Sequence, residues 1–355
     1  RDRPQRVGEL EDLFRHLFYS YQQIRLTHLF WHDDRRFCLS VLARSPRAAT
    51  DVRVVVCGQR EVMQQETDLV RELAPETQQG VRLDGTAETV HFGAIAYALP
   101  DADLEAMRPL RSLFQHGRER PLKATFSHLL TEVLPAWHQH GRTVEAQGLM
   151  ALYRQRVGLG DDDSVRQELG RRVDALVQIA VSLGVVGIER NNGSIVYGFP
   201  RQPLLECPDP VDVAYQSLGK YGAANLCWIS PGKLSADNIV VDGTQWTWLT
   251  DFGQAGHRPQ LWDFVCLEAM VRFDHSHAPD LLAWLEFEEC LAGPTRLHER
   301  LRAQDVISRL KTSVVLIEQI RHQASKEAGP HLLPYAAGLL VWAVGAMARY
   351  DPEAL

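Results

Sequence analysis

The chain has no glycine between Gly8 and Gly58. Any sheet formed in its first sixty residues therefore lacks a glycine-rich loop whose bare amides could cover a phosphate. The turn expected there reads Trp31-His32-Asp33-Asp34-Arg35-Arg36, where bulky side chains and two acids oppose an anion. A basic excess is missing too. The net charge is -7 and the pI about 6.1, which argues against a dedicated nucleic-acid binder. The six cysteines (Cys38, Cys57, Cys207, Cys227, Cys266, Cys290) form no C-x-x-C pair, and most sit in apolar surroundings. That excludes a zinc ribbon or a disulfide scaffold and predicts free thiols in a reducing cytoplasm. No run reaches the eighteen or so apolar residues of a membrane span. The nearest, Leu332 to Ala348, is interrupted by Pro334, Gly338 and Gly345 and reads as a buried helix. No signal-peptide pattern is present. The sequence begins with Arg1, so it is expected to be a fragment or a processed chain.

What remains is an ordinary globular composition, 45% hydrophobic and 23% charged, in 355 residues. That length holds two lobes or two to three small domains. Val7–Tyr21 reads as an amphipathic helix. Ile24–Phe30, Phe37–Ala43 and Val52–Cys57 are β-branched, apolar runs that predict an antiparallel sheet. Glu61–Leu73 has helical spacing with Val62, Leu69, Val70 and Leu73 on one side, and His91–Leu99 reads as a strand closed by Pro100. Phe126–Trp137 and Glu145–Arg156 are predicted helices. Ser164, after Asp161–Asp163, is the expected cap of a helix over Val165–Leu183. Val185–Glu189 and Ile195–Phe199 flank Asn191-Asn192-Gly193, a hairpin signal. Helices followed by a hairpin make a winged-helix pattern. Its arginines, Arg166, Arg171, Arg172 and Arg190, are offset by nearby acids, so no DNA-binding footprint forms.

The densest signal comes later. Pro231-Gly232-Lys233-Leu234-Ser235-Ala236-Asp237-Asn238 leads into the apolar run Ile239-Val240-Val241 and a turn at Asp242-Gly243. Trp246–Leu249 and Thr250-Asp251-Phe252-Gly253 follow. A hairpin of this kind brings Asn238 and Asp251 together from opposite sides, two oxygen donors of the type that a hard cation needs. Ser230-Pro231-Gly232-Lys233 is not a P-loop, because the spaced glycines are missing. His275 and His277, beside Asp274, have a spacing that could hold a metal but read as a surface loop. Trp246, Trp248 and Trp262 read as core aromatics.

These residues resemble the catalytic and metal loops of kinase-type phosphotransferases, H-G-D-L-H-x-x-N followed by D-F-G. The tail Gln254 to Glu268 is similar to D-F-G-x-A-G-x-x-P-x-x-x-D-F-x-x-L-E of aminoglycoside-phosphotransferase-like proteins. More closely, it resembles the bacterial ternary-complex-associated domain family, ninth type, kinase-like modules of conflict and signalling systems. The resemblance implies an α+β, bilobal protein-kinase-like fold with a winged-helix-like insert in the helical lobe. Residues 1–100 would form the small lobe and hinge, 101–143 the start of the large lobe, 144–204 the insert and 205–355 the rest of the large lobe.

By the same resemblance Asn238 and Asp251 are the magnesium ligands, and Glu66 is the partner of a nucleotide-gripping lysine. Asp263 buttresses the catalytic loop. The base position is Lys233 and the gripping-lysine position is Val56, so both charges that the chemistry requires are lost. Lys233 is expected to pair with Asp251 in place of magnesium. The reading is a degenerate, pseudokinase-like module that binds a protein partner, with no resident cofactor, no membrane contact and no nucleic acid. The alternative is a divergent phosphotransferase using magnesium and ATP, and a third is a DNA-binding regulator using Arg190.

Overall fold

The computed structural model describes residues 3–32, 35–46, 50–74, 82–99, 106–116, 118–138, 143–145, 148–182, 189–191, 193–198, 205–215, 225–304 and 306–349. Asp33, Asp34, Pro100, Val185 to Ile188 and Asn192, which carry parts of the expectations above, lie outside them.

Helix α1 (Arg3–Leu17) precedes strands β1 (Gln23–His32), β2 (Arg36–Arg44) and β3 (Thr50–Gln59). Helix α2 (Arg60–Leu73) then leads to β4 (Arg82–Glu88) and β5 (Phe92–Ala98). The five strands form one antiparallel sheet in the order β1-β2-β3-β5-β4. Strand β4 has no counterpart in the sequence reading, because Arg82–Glu88 is charged and carries Gly85. The central strand explains its own sequence. Val54 and Val56 face the large core, while Val55 and Cys57 face a second cluster with Leu13 and Phe18 beneath α1. A strand buried on both faces needs an unbroken apolar run, and β3 has one. Each such valine contributes about 1.5–3 kcal/mol relative to exposure. Helix α2 buries Met63, Glu66, Thr67 and Val70 on its sheet side. Glu66 thus occupies a place in the buried stripe where an apolar residue is the norm.

The second lobe is mainly helical. Strand β6 (Arg108–Pro109) enters α3 (Leu110–His116) and α4 (Glu119–His128). A π-helical turn over Leu129–Val133 continues into α5 (Leu134–His138). The helix expected from Glu145 begins later, as α6 (Leu149–Val157), because Thr143–Glu145 forms strand β7. Helix α7 (Asp163–Ser182) starts one residue before the expected cap. Asp162, not Ser164, caps it by accepting the Ser164 N–H at 2.9 Å. Strands β8 (Glu189–Asn191), β9 (Ser194–Tyr197) and β10 (Leu205–Pro208) make a small sheet before α8 (Pro210–Tyr215). Asn191 pairs with Ser194, and Gly193 stands at φ +85°.

Strand β11 (Asn225–Ser230) pairs with β7, so the segment between them leaves and returns through neighbouring strands. The hairpin of β12 (Ile239–Val241) and β13 (Thr247–Leu249) matches its expected position. Strand β14 (Gly256–Pro259) closes the β11 sheet, and helices α9 (Trp262–Ala269), α10 (Leu281–Ala292), α11 (Ser308–Ala328) and α12 (Leu332–Arg349) follow. Every residue of α9 is buried, including Glu268. Arg321 makes that tolerable by donating to both Glu268 oxygens at 2.8 and 2.7 Å, and the Tyr335 hydroxyl adds a third bond.

Among the described residues α12 is the one helix long and apolar enough to cross a membrane. Here it packs against α6 and α9. Its glycines explain the close approach. A Cβ on Gly338 would lie 2.8 Å from Val265, and one on Gly345 would lie 2.5 Å from Val157. An antiparallel sheet with a helix after its third strand, then a helical lobe whose hairpin carries Asn238 and Asp-Phe-Gly, is a kinase-like arrangement.

Candidate functional site

The site lies where the sheet lobe meets the hairpin of the helical lobe. Asp251 follows β13 at φ +69°, left-handed backbone that a non-glycine residue adopts only where its surroundings impose it. Thr250 fixes it from one side, its N–H donating to the Asn238 carbonyl at 2.9 Å and its hydroxyl receiving the Trp31 indole N–H at 3.3 Å. Phe252 fixes it from the other. That ring is buried between Tyr97, at 5.6 Å, and Trp137, at 5.3 Å. The Phe252 N–H donates to Glu66 Oε1 at 3.0 Å.

The expected pair between Lys233 and Asp251 does not form. Lys233 is exposed, and the partner of Asp251 is Arg36 of β2. Arg36 Nη1 bonds Asp251 Oδ1, and Nη2 donates to Oδ2 at 3.2 Å. The same Nη1 stands 3.6 Å from Glu66 Oε2, and the guanidinium carbon lies 5.3 Å from the Trp31 ring centre. The register gives the reason. Arg36 pairs across the sheet with Gly58, two residues beyond Val56 on β3. A Cβ at Gly58 would sit 2.6 Å from Arg36 Cγ. The missing side chain of Gly58 lets Arg36 lie across β3 towards α2, so a cation from the neighbouring strand stands where Val56 carries none.

Glu66 is fully buried. Its Oε1 accepts from the Tyr97 hydroxyl at 3.1 Å as well as from Phe252, while Oε2 has no hydrogen-bond donor. Burial, and then the neighbouring Asp251 charge, push its carboxyl up to about 7. The Phe252 amide, Arg36 and Tyr97 hold it from rising further.

Asn238 is 3% exposed and its side chain is engaged within its own loop. Oδ1 accepts from the Ser235 N–H at 2.8 Å and from its hydroxyl at 3.1 Å, and Nδ2 donates to the Lys233 carbonyl. Gly232, at φ +108°, lets this loop touch the segment after Asp-Phe-Gly, since a Cβ there would meet the Gln254 carbonyl carbon at 2.6 Å. Asp263 braces the loop from below. It accepts from Ser230 Oγ at 2.5 Å, and that hydroxyl receives the Gly232 N–H at 3.1 Å. His138 bridges Asp263, at 2.9 Å, and Glu327, at 2.8 Å, while its ring stacks on Trp228. Burial alone would push His138 down. The bonds to the two carboxylates outweigh it and raise the imidazolium's affinity for its proton.

These residues do not fit a magnesium ion as they stand. Both Asp251 oxygens are taken by Arg36, and Asn238 Oδ1 is taken by Ser235, whereas a hard cation requires oxygens free of donors. No cluster of three or more His, Cys, Asp or Glu able to hold a metal occurs among the described residues. His275 is packed flat on Phe114 at 4.0 Å. Trp248 and Trp262 are core residues, but Trp246 is 37% exposed and lies over His128, because the hairpin tip reaches the surface.

Sequence reasoning missed Arg36, Trp31 and His138. Nothing in the spacing of Arg36 marks it. Only its cross-strand neighbour Gly58 could have signalled it, and that pairing requires the register.

No family model matches the chain, and none of the curated proteins matches it. Among solved structures it is similar to a thermostable mutant of aminoglycoside phosphotransferase APH(4)-Ia in ternary complex with ADP and hygromycin B. The TM-score is 0.44 at 10% identity, covering 97% of this chain and 100% of that one.

Proposed function

We propose that the chain is a kinase-like module that transfers no phosphoryl group and acts by binding a protein partner. The observation that carries this reading is the cation at the base position. Lys233 is tied by its carbonyl to Asn238, on the loop that touches the Asp-Phe-Gly segment, and its ammonium cannot accept an acceptor's proton. Placement in a bacterial conflict or signalling system follows from the sequence resemblance, with the degenerate cleft and the winged-helix-like insert as the surfaces that would meet the partner.

A second reading, a divergent phosphotransferase, gains one observation from Arg36, which supplies near Glu66 and Asp251 the positive charge that Val56 lacks. Nothing favours a DNA reader, since Arg190 is enclosed by Asp209, Asp174 and the Gly170 carbonyl.

Thermal melting with a non-hydrolysable ATP analogue, with and without magnesium, separates the first two readings. We expect no magnesium-dependent shift at millimolar nucleotide. A rise of several degrees that requires both the metal and Asp251, and disappears in Asp251→Asn, would establish the second.

A further inference from the structure

We propose that Arg36 is the resident counter-ion of Asp251, taking the place of a divalent cation, and that removing its charge converts the site into one that binds such a cation. Four features of the structure build this site around a guanidinium. Gly58 opens the path across β3, since any Cβ there would lie 2.6 Å from Arg36 Cγ and 3.0 Å from the Arg35 carbonyl. Gly253 borders the far end, where an ideal Cβ would stand 3.4 Å from Arg36 Nη1, which places the guanidinium in contact with the Asp-Phe-Gly segment. Trp31 lies against the guanidinium, and its indole N–H ties β1 to Thr250 beside Asp251. The fourth is the pair of carboxylates, Asp251 Oδ1 and Glu66 Oε2, that converge on the same nitrogen.

The charges are enclosed. The Asp251 side chain is 10% exposed and that of Glu66 is 0% exposed. With Arg36 deleted, two buried carboxyl groups would face each other, one of them with an oxygen that has no hydrogen-bond donor. An uncompensated buried charge is strongly unfavourable. Two convergent carboxylate oxygens are also the donor set that a hard divalent cation takes. The same residues join β1, β2 and α2 of the sheet lobe to the segment after β13, so the internal cation also fixes how the two lobes meet. The inference rests on the metal-free cleft of the reading above. Titrating bare metal keeps the two apart: a chain that takes nucleotide yet refuses metal alone overturns that reading and leaves Arg36 in its role.

The test is manganese titration, followed by the electron paramagnetic resonance of the free ion and by melting, without nucleotide. The wild-type chain, Arg36→Lys, Arg36→Met and the double variant Arg36→Met/Asp251→Asn would be compared. We expect the wild type and Arg36→Lys to bind no manganese at millimolar concentration. Arg36→Met should melt roughly 5 to 10 °C lower, bind one equivalent and recover most of the loss with the metal. The double variant should bind none and melt above Arg36→Met, because the stranded charge is gone. Manganese binding by the wild type that Asp251→Asn abolishes would overturn the proposal. So would an Arg36→Met chain that melts like the wild type or takes no metal. Should Arg36→Met fail to fold, a folded double variant supports the proposal, and a double variant that also fails overturns it.

Discussion

Glu66 shows how a single buried carboxyl can couple stability to pH. Its folded-state value of about 7 lies above the ordinary value of 4.5, so between those limits the folded chain holds a proton that the unfolded chain has released. Stability therefore falls as pH rises from about 4.5 to 7 and the loss is complete above 7, with a total on the order of 3 kcal/mol. Glu66→Gln keeps an acceptor for Tyr97 and Phe252 and has nothing to titrate. Denaturant unfolding from pH 4.5 to 8 should show a flatter profile for this variant than for the wild type. An unchanged slope would mean that Glu66 is ionised throughout. His138 acts in the next window. Its raised proton affinity stabilises the folded chain below the usual histidine range, and the gain is lost as pH climbs through the folded-state value.

At the scale of elements, α12 states the conflict between propensity and packing most plainly. Replacing a helical glycine by alanine ordinarily gains about 1 kcal/mol of helix propensity. At Gly345 the added Cβ would meet Val157 Cβ at 2.5 Å, and Val157 belongs to the last turn of α6. Overpacking of this kind costs about 1–3 kcal/mol. Gly345→Ala should therefore lower stability in urea unfolding despite the better helix former. A stabilised variant would show that α6 and α12 can move apart freely. The hairpin of β12 and β13 is an element of the opposite kind. Its turn at Asp242 is closed locally, with Asp242 Oδ1 accepting from the Thr244 and Trp246 amides, so neighbouring residues alone specify it.

Across the whole molecule, the segment between β7 and β11 pairs its charges within itself and packs its helices on α12, and is not presented as a basic surface. Arg190 bonds Asp209, whose side chain is 3% exposed, together with Asp174 and the Gly170 carbonyl. Arg166 likewise pairs with Asp212. Arg190→Ala should cost about 1.5–3 kcal/mol in chemical denaturation. Fluorescence anisotropy at low salt should show no duplex DNA binding by either the wild type or the variant. Salt-dependent binding that the substitution removes would return the segment to nucleic-acid recognition.

The sequence by itself determined what local chemistry can determine. The apolar run of β3, the turn at Asp242-Gly243 and the order of Asn238, Asp251 and Asp263 are all set by residues close together in the chain. Their periodicity and turn chemistry are legible without a fold. The tertiary structure decided which charges meet. Arg36 and Asp251 are 215 residues apart, and His138 reaches Asp263 across 125. No spacing rule links such pairs. Strand register chose Arg36 over Lys233 as the partner of Asp251, since it sets Arg36 opposite a glycine that leaves its path open, whereas the loop turns Lys233 to solvent. A buried carboxylate must be matched by whatever cation the packing brings within reach, and packing is a property of the folded chain.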